Sequence, residues 1–274
     1  MPPELQVEVI GCGDAYDGHH TNASLLVSEQ GFRLLVDCGP TVPAALFRRE
    51  LAAEALDAIY LTHTHPDHCL GLATLLNWMD SCGRQRPLLL IAQKEQLPLL
   101  NPLLALACWP QAAPRFAIQI MATPAHFTLG PWLARTTPTR HAVANMSLHL
   151  TTATGWQLFY SGDGCVQEEG ARLAADSDLV LLECGALQQH PSHGSWQQIA
   201  PLTRKPGSRW YLYHLDPAIR TALQQAISAI PDMTLADEGT LLPLTALPLT
   251  AALAAPEPKA HLSDHNQMAG ADHH

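Results

Sequence analysis

Positive charge is what this chain has least of. Its 274 residues carry 15 Lys and Arg against 25 Asp and Glu, a formal charge of −10 with His neutral. Gripping an RNA or DNA backbone takes a basic footprint that neutralises many phosphates, and the composition supplies none. Arg84 with Arg86, and Arg204 with Lys205, are local basic spots that read as solvated surface. Long apolar runs are missing too. None approaches the roughly 20 residues of a membrane span, and Glu4 and Glu8 interrupt the start where a secretory signal would need an apolar stretch. Paired cysteines are also absent: the seven (12, 38, 69, 82, 108, 165 and 184) are odd in number, without paired spacing, and read as reduced thiols. The expected setting is the cytoplasm, without a membrane partner. Nucleotide loops of the GxGxxG or GxxxxGK[ST] kind do not occur, so Gly11-Cys12-Gly13-Asp14 after the first strand is not read as a phosphate cradle.

What is present is a chain 47% hydrophobic, enough for a substantial core. Alternating or wholly apolar runs predict strands at Leu5–Ile10, Ser24–Val27, Phe32–Asp37, Ala58–Leu61 and Leu88–Ala92. The same signals recur at Leu133–Thr137, Ser147–Thr152, Gln157–Ser161, Leu179–Glu183 and Arg209–Tyr213. Helices are expected over Val42–Ala53, Gly71–Cys82, Val166–Ala175, Ser195–Lys205 and Pro217–Ile230. The Leu-rich segment Gln93–Ala107 reads as a helix kinked or broken by Pro98 and Pro102, packed as core or closing over a pocket. Residues 1–247 are expected to form one domain. From Pro248 the composition turns to Ala and Pro, with four His near the end, and 248–274 reads as a solvated tail.

The chemistry concentrates in His63-Thr64-His65-Pro66-Asp67-His68, directly after the apolar run Ala58–Leu61. Three imidazoles and a carboxylate within six residues are the nitrogen and oxygen donors that zinc and its neighbours accept. The spacing lets one turn aim His63 and His65 at one ion, and Asp67 and His68 at a second. Three more candidates stand at strand ends: His141, Asp163 between two glycines, and His214. Singly, each reads more readily as a structural His or a turn Asp.

Taken in order, these residues resemble the pattern of the metallo-β-lactamase superfamily: HxHxDH, then His, then Asp, then His. The likeness runs from about Leu5 to Leu244. It implies an α/β fold of four layers, an αββα sandwich with two mixed sheets flanked by helices. It also implies that His63, His65 and His141 hold one metal, that Asp67, His68 and His214 hold the other, and that Asp163 bridges them. Two divalent ions so placed, about 3.5–4 Å apart, bring a shared water toward ionisation at neutral pH. Zinc fits the nitrogen-rich set, and two carboxylates also admit Mn2+ or Fe2+. Asp67 is then required as the carboxylate, and each ligand His must be neutral with its other nitrogen held by an acceptor that the sequence does not reveal.

Val9–Gly13, Thr21–Leu26 and Leu34–Gly39 resemble the phosphodiesterase branch that includes ribonuclease Z and small cyclic-phosphate diesterases, as does the run from Tyr160–Asp163 to Glu183 and His193. The resemblance implies that His193, oriented by Glu183, manages the proton of a leaving alkoxide. Two departures argue against tRNA. Only 22 positions separate His141 from Asp163, too few for a tRNA-gripping arm, and Glu183-Cys184-Gly185-Ala186 stands where that group has a different motif. The expected function is hydrolysis of a small phosphodiester, a cyclic nucleotide or cyclic sugar phosphate. Thioester or lactone hydrolysis is the alternative, and a metal-binding or metal-sensing protein is a further one. A homodimer is compatible with all three.

Overall fold

The computed structural model describes residues 5–242 and residue 244. The segment from Pro248, with the histidines expected to be solvated, lies outside the described residues. Two sheets lie face to face, each built by the same grammar of antiparallel strands followed by parallel ones. The first contains β1 (Gln6–Gly11), β2 (Ser24–Glu29), β3 (Phe32–Val36), β4 (Ala58–Tyr60), β5 (Leu88–Ala92) and β6 (Ile118–Ala122) in that spatial order. Its helices are α1 (Val42–Arg48), α2 (Pro66–Cys69), α3 (Gly71–Ser81) and α4 (Leu97–Cys108). The second sheet comprises β7 (His126–Leu129), β8 (Trp132–Arg140), β9 (Met146–Thr151), β10 (Gln157–Tyr160), β11 (Cys165–Val166), β12 (Leu179–Glu183), β13 (Arg209–Tyr213) and β14 (Met233–Leu235). Its helices are α5 (Glu168–Asp176), α6 (Trp196–Ile199) and α7 (Arg220–Ile227).

Side-chain alternation sorts each strand between layers. Leu34 and Val36 of β3 and Ala58 and Tyr60 of β4 enter the core between the sheets, whereas Leu35, Ile59 and Leu61 face α1, α3 and α4. Leu179 and Leu181 of β12 point inward to the same central layer, and Val180 and Leu182 meet α5, α6 and α7. The result is the expected four-layer αββα order. At one end the sheets are tied by backbone: Met146 N–H donates to Thr62 O at 3.0 Å, and Gly13 bridges to both Asn22 and Leu215. At the other end Trp132 Nε1 donates to the buried Glu29 carboxylate at 2.6 Å.

Several elements depart from expectation. α1 stops at Arg48 rather than Ala53, α6 at Ile199 rather than Lys205, and α7 is confined to Arg220–Ile227. Strands β6, β7, β11 and β14 lie outside the expected set; β6 and β7 are half exposed at the margins of their sheets, so they lack the apolar runs that mark interior strands, and β11 takes Val166 from the expected helix. Helix α4 runs unbroken through Pro102, without the hydrogen bond that residue cannot donate, and Pro98 sits in its first turn, where the missing N–H has no partner to lose. Leu100, Leu103, Leu104 and Ala107 pack into the outer core beside α3, so this segment is core. Arg84 is a second correction: it is fully buried and donates to the carbonyls of Ala53, Leu56, Arg86 and Pro87. The 21 residues between His141 and Asp163 hold β9, a turn and β10.

Candidate metal centre

The seven candidate ligands sit just past the carboxyl ends of strands, at the end where backbone joins the sheets; Glu183 is the last residue of a strand, and His193 lies in the loop that follows it. His63, His65, Asp67 and His68 follow β4; His141 follows β8; Asp163 follows β10; Glu183 closes β12; His214 follows β13. Open α/β sheets place ligands at this edge because the strands stop there and the loops are free to vary. The HxHxDH turn can lie so close to the end of β3 only because Gly39 and Gly71 lack side chains. A Cβ on Gly39 would fall 1.9 Å from Asp67 O, and one on Gly71 would fall 2.2 Å from Gly39 O.

All seven residues expected to bind metal converge. Ligand atoms of His63, His65, His141 and Asp163 form one group within 4.8 Å of one another, and those of Asp67, His68, Asp163 and His214 form a second. Asp163 belongs to both. In the first group His65 Nδ1 lies 3.0 Å from His63 Nε2 and 3.0 Å from His141 Nε2. His141 Nδ1 donates to Ser192 O at 2.6 Å, and His63 Nδ1 lies 3.0 Å from the Thr62 hydroxyl, itself bound to Asp37. Both Nε2 atoms are thereby left with lone pairs aimed at a third nitrogen, and one proton cannot satisfy all three. In the second group His68 Nε2 is 3.2 Å from Asp163 Oδ1, yet both atoms are buried without a hydrogen-bond partner. Buried polar atoms are rarely left so, and a cation between them satisfies both. The residues present fit a pair of divalent ions.

The acceptors that sequence could not reveal are now visible. Asp37, left-handed at φ 59° and fully buried, accepts from His68 Nδ1 at 2.9 Å and from the N–H and hydroxyl of Thr62. Nothing in the spacing of Leu34–Gly39 marks it, because its partners lie 25 and 31 positions away. Glu183, also buried, accepts from His193 Nδ1 at 2.5 Å and from the N–H of Gly194 at 3.0 Å. The His193 ring is 5.1 Å from that of His141 and stacks 6.3 Å from that of His214. Asp163, Glu183 and His193 form a third convergent group, which brings the two residues expected to handle protons beside the metal ligands.

The electrostatics follow from crowding. Burial disfavours the ionised form of Asp67, but His214 and His68 overcome it and hold the carboxyl far below the usual range. Burial likewise opposes charge on His214, yet Asp163 and Asp67 raise it to about 9; His68 is also raised against its burial, by Asp163 and Asp37. Burial lowers His63 well below an ordinary imidazole. Without metal, then, the second group holds protons where an ion would sit. At pH 7 titration with Zn2+ is expected to release protons, and apparent affinity is expected to climb as pH rises toward 9. Proton uptake followed with a pH indicator checks this; a proton-neutral titration would show those imidazoles already free.

A family model described as anti-Pycsar protein Apyc1 matches residues 5–240. The chain belongs to the Apyc1 family. Curated Apyc1 proteins from Saccharibacillus brassicae and Bacillus phage BSP38 are 37% and 39% identical over 99 and 87 residues, covering 36% and 31% of this chain and 39% and 34% of theirs. The matched stretches thus span little more than a third of these Apyc1 relatives. A ribonuclease Z of Parabacteroides distasonis is 27% identical over 106 residues, 38% of this chain and 35% of that protein. Among solved structures, the metallo-β-lactamase-fold protein YhfI of Bacillus subtilis superposes with TM-score 0.74 at 21% identity, covering 88% of this chain and 99% of the other. Human tRNase Z, short form, gives 0.70 at 18% identity, covering 88% and 100%. This member of the Apyc1 family has the metallo-β-lactamase fold. Its described residues include no helix long and apolar enough to cross a membrane, and all seven cysteines are unpaired.

Proposed function

We propose that this protein is a metal-dependent hydrolase of a small phosphodiester, a cyclic nucleotide or cyclic sugar phosphate. The observation that carries this reading is two four-ligand groups sharing Asp163, with a proton-bearing His193–Glu183 pair alongside. Two divalent ions held there, Zn2+ in first place and Mn2+ or Fe2+ as alternatives, supply an activated water and a Lewis acid for the phosphoryl oxygen. Asp163 spans the two sites, Asp67 contributes the second negative charge, and Asp37 and Ser192 O hold His68 and His141 with Nε2 free.

His193 is the proton donor. Its hydrogen bond to Glu183 raises the imidazole above its ordinary value, which favours the protonated form a donor needs, and the ring is about a third exposed. A diester releases an alkoxide that needs a proton as it leaves, which an imidazolium fixed by a buried carboxylate delivers. The names of relatives support chemistry at phosphorus: one is a ribonuclease Z, and a structural neighbour is a diphosphatase of the PhnP family. The acidic balance supports a small substrate over a polyanion. Metal-loaded protein is expected to hydrolyse bis(p-nitrophenyl) phosphate and a cyclic nucleotide and to leave an acyl thioester intact. Thioester cleavage without diester turnover would overturn the reading in favour of acyl chemistry.

A further inference from the structure

Residues His190–Gly194 carry no helix or strand, yet side chains hold nearly every polar group of their backbone. Arg140 donates to the carbonyls of His190, at 3.5 Å, and Pro191. His190 Nδ1 accepts from the N–H of Ser192 at 3.3 Å and from that of His193 at 3.1 Å. Ser192 O receives His141 Nδ1, His193 O receives the Cys165 thiol at 2.9 Å, and Gly194 N–H reaches Glu183. An irregular segment normally leaves such groups to water. Here one pentapeptide is tied to a ligand of the first metal group and to the carboxylate that charges the proton donor.

We propose that this segment is a strap that aims His193, with His190 and Arg140 as its positioning residues. The inference rests on the reading of His193 as proton donor. Arg140 directly precedes His141 in the chain, but the hydrogen bonds its side chain and that of His190 make to the strap go to the backbone from which the His193 side chain projects. His190 imitates an Asx turn, in which a side-chain acceptor takes the N–H groups two and three residues ahead, a task usually given to Asn or Asp. An imidazole does this with the proton on Nε2, and its ring also packs 5.0 Å from that of His193. Proton transfer demands placement: an error near 1 Å in a reacting group costs on the order of 10²-fold.

Leaving groups separate aim from architecture. p-Nitrophenolate departs without a proton, whereas the sugar alkoxide of a cyclic nucleotide needs one. In metal-loaded His190→Ala, cyclic-nucleotide turnover is expected to fall roughly 10- to 100-fold, and bis(p-nitrophenyl) phosphate turnover less than about 3-fold. His190→Asn is expected to recover most of the loss, because its amide oxygen can accept the same two N–H groups. Arg140→Ala is expected to shift the two substrates in the same sense, and it carries the comparison should His190→Ala fold poorly. Without metal, amide hydrogen exchange at Ser192 and His193 is expected to quicken in His190→Ala and to stay slow in His190→Asn. Equal loss on both substrates at unchanged metal content, or fast amide exchange with unchanged rates, overturns the strap. His193→Ala is the reference. If it too slows both substrates equally, the proton-donor reading falls and the strap with it; if it discriminates and the strap variants do not, the strap alone falls.

Discussion

Replacing Asp163 with Ala is expected to strip both metal sites at once and to lower diester turnover by at least about 10³-fold, the several kcal/mol that bound metal supplies to the reaction. No other side chain belongs to both four-ligand groups. Loss of His65, His141 or His214 weakens one group and leaves the other complete, whereas loss of Asp163 takes a donor from both and removes the one carboxylate they share. The fold should tolerate the change, because Asn145 holds residue 163 through its backbone N–H at 3.1 Å rather than through the carboxylate. Metal analysis should therefore show a folded protein with less than one ion per chain. Zn2+ should raise the melting temperature of the wild type and leave the variant unmoved; at a metal concentration of 1,000 times Kd that stabilisation is about 4 kcal/mol. A variant that kept two ions would remove Asp163 from its bridging place.

His193→Ala should spare the metals and fail at the departure of an alkoxide. General acid catalysis contributes about 10² to 10⁴-fold, so cyclic-nucleotide turnover should drop within that range. The pH profile gives a second handle. The donor must be protonated, so activity on such substrates is lost as pH rises through the His193 value, which Glu183 holds above that of a free imidazole. Glu183→Gln removes the charge and should move this alkaline limb to lower pH, while an activated ester should show no such displacement. An unmoved limb in Glu183→Gln would sever the pair.

How much of this was legible in the chain depended on how local each signal was. The HxHxDH turn could be read outright, because four ligands fall within six residues and the strand before them is wholly apolar. His141, Asp163 and His214 gained meaning only as an ordered series, since convergence from three strand ends of the second sheet leaves no mark at any one of them. Asp37 was opaque: its role needs a left-handed backbone and contact with His68 across 31 positions. His190 was hidden for the opposite reason, since its partners are two and three residues away but Asn or Asp, not His, is the residue that advertises such a turn. Composition misled at Arg84, where charge suggested surface and four backbone carbonyls keep the guanidinium inside.

The two sheets divide the donors evenly. The first ion would take His63 and His65 from one sheet and His141 and Asp163 from the other; the second would take Asp67 and His68, then Asp163 and His214. During synthesis a ribosome that has delivered the chain only as far as β6 has made two donors for each cation, a weak chelate that free amino acids and peptides could outcompete. The first set would be complete only once Asp163 has emerged, and the second only once His214 has, close to the end of the matched region. Loading of both ions would thus come late in synthesis, and a product truncated before β8 would carry only half of either donor set.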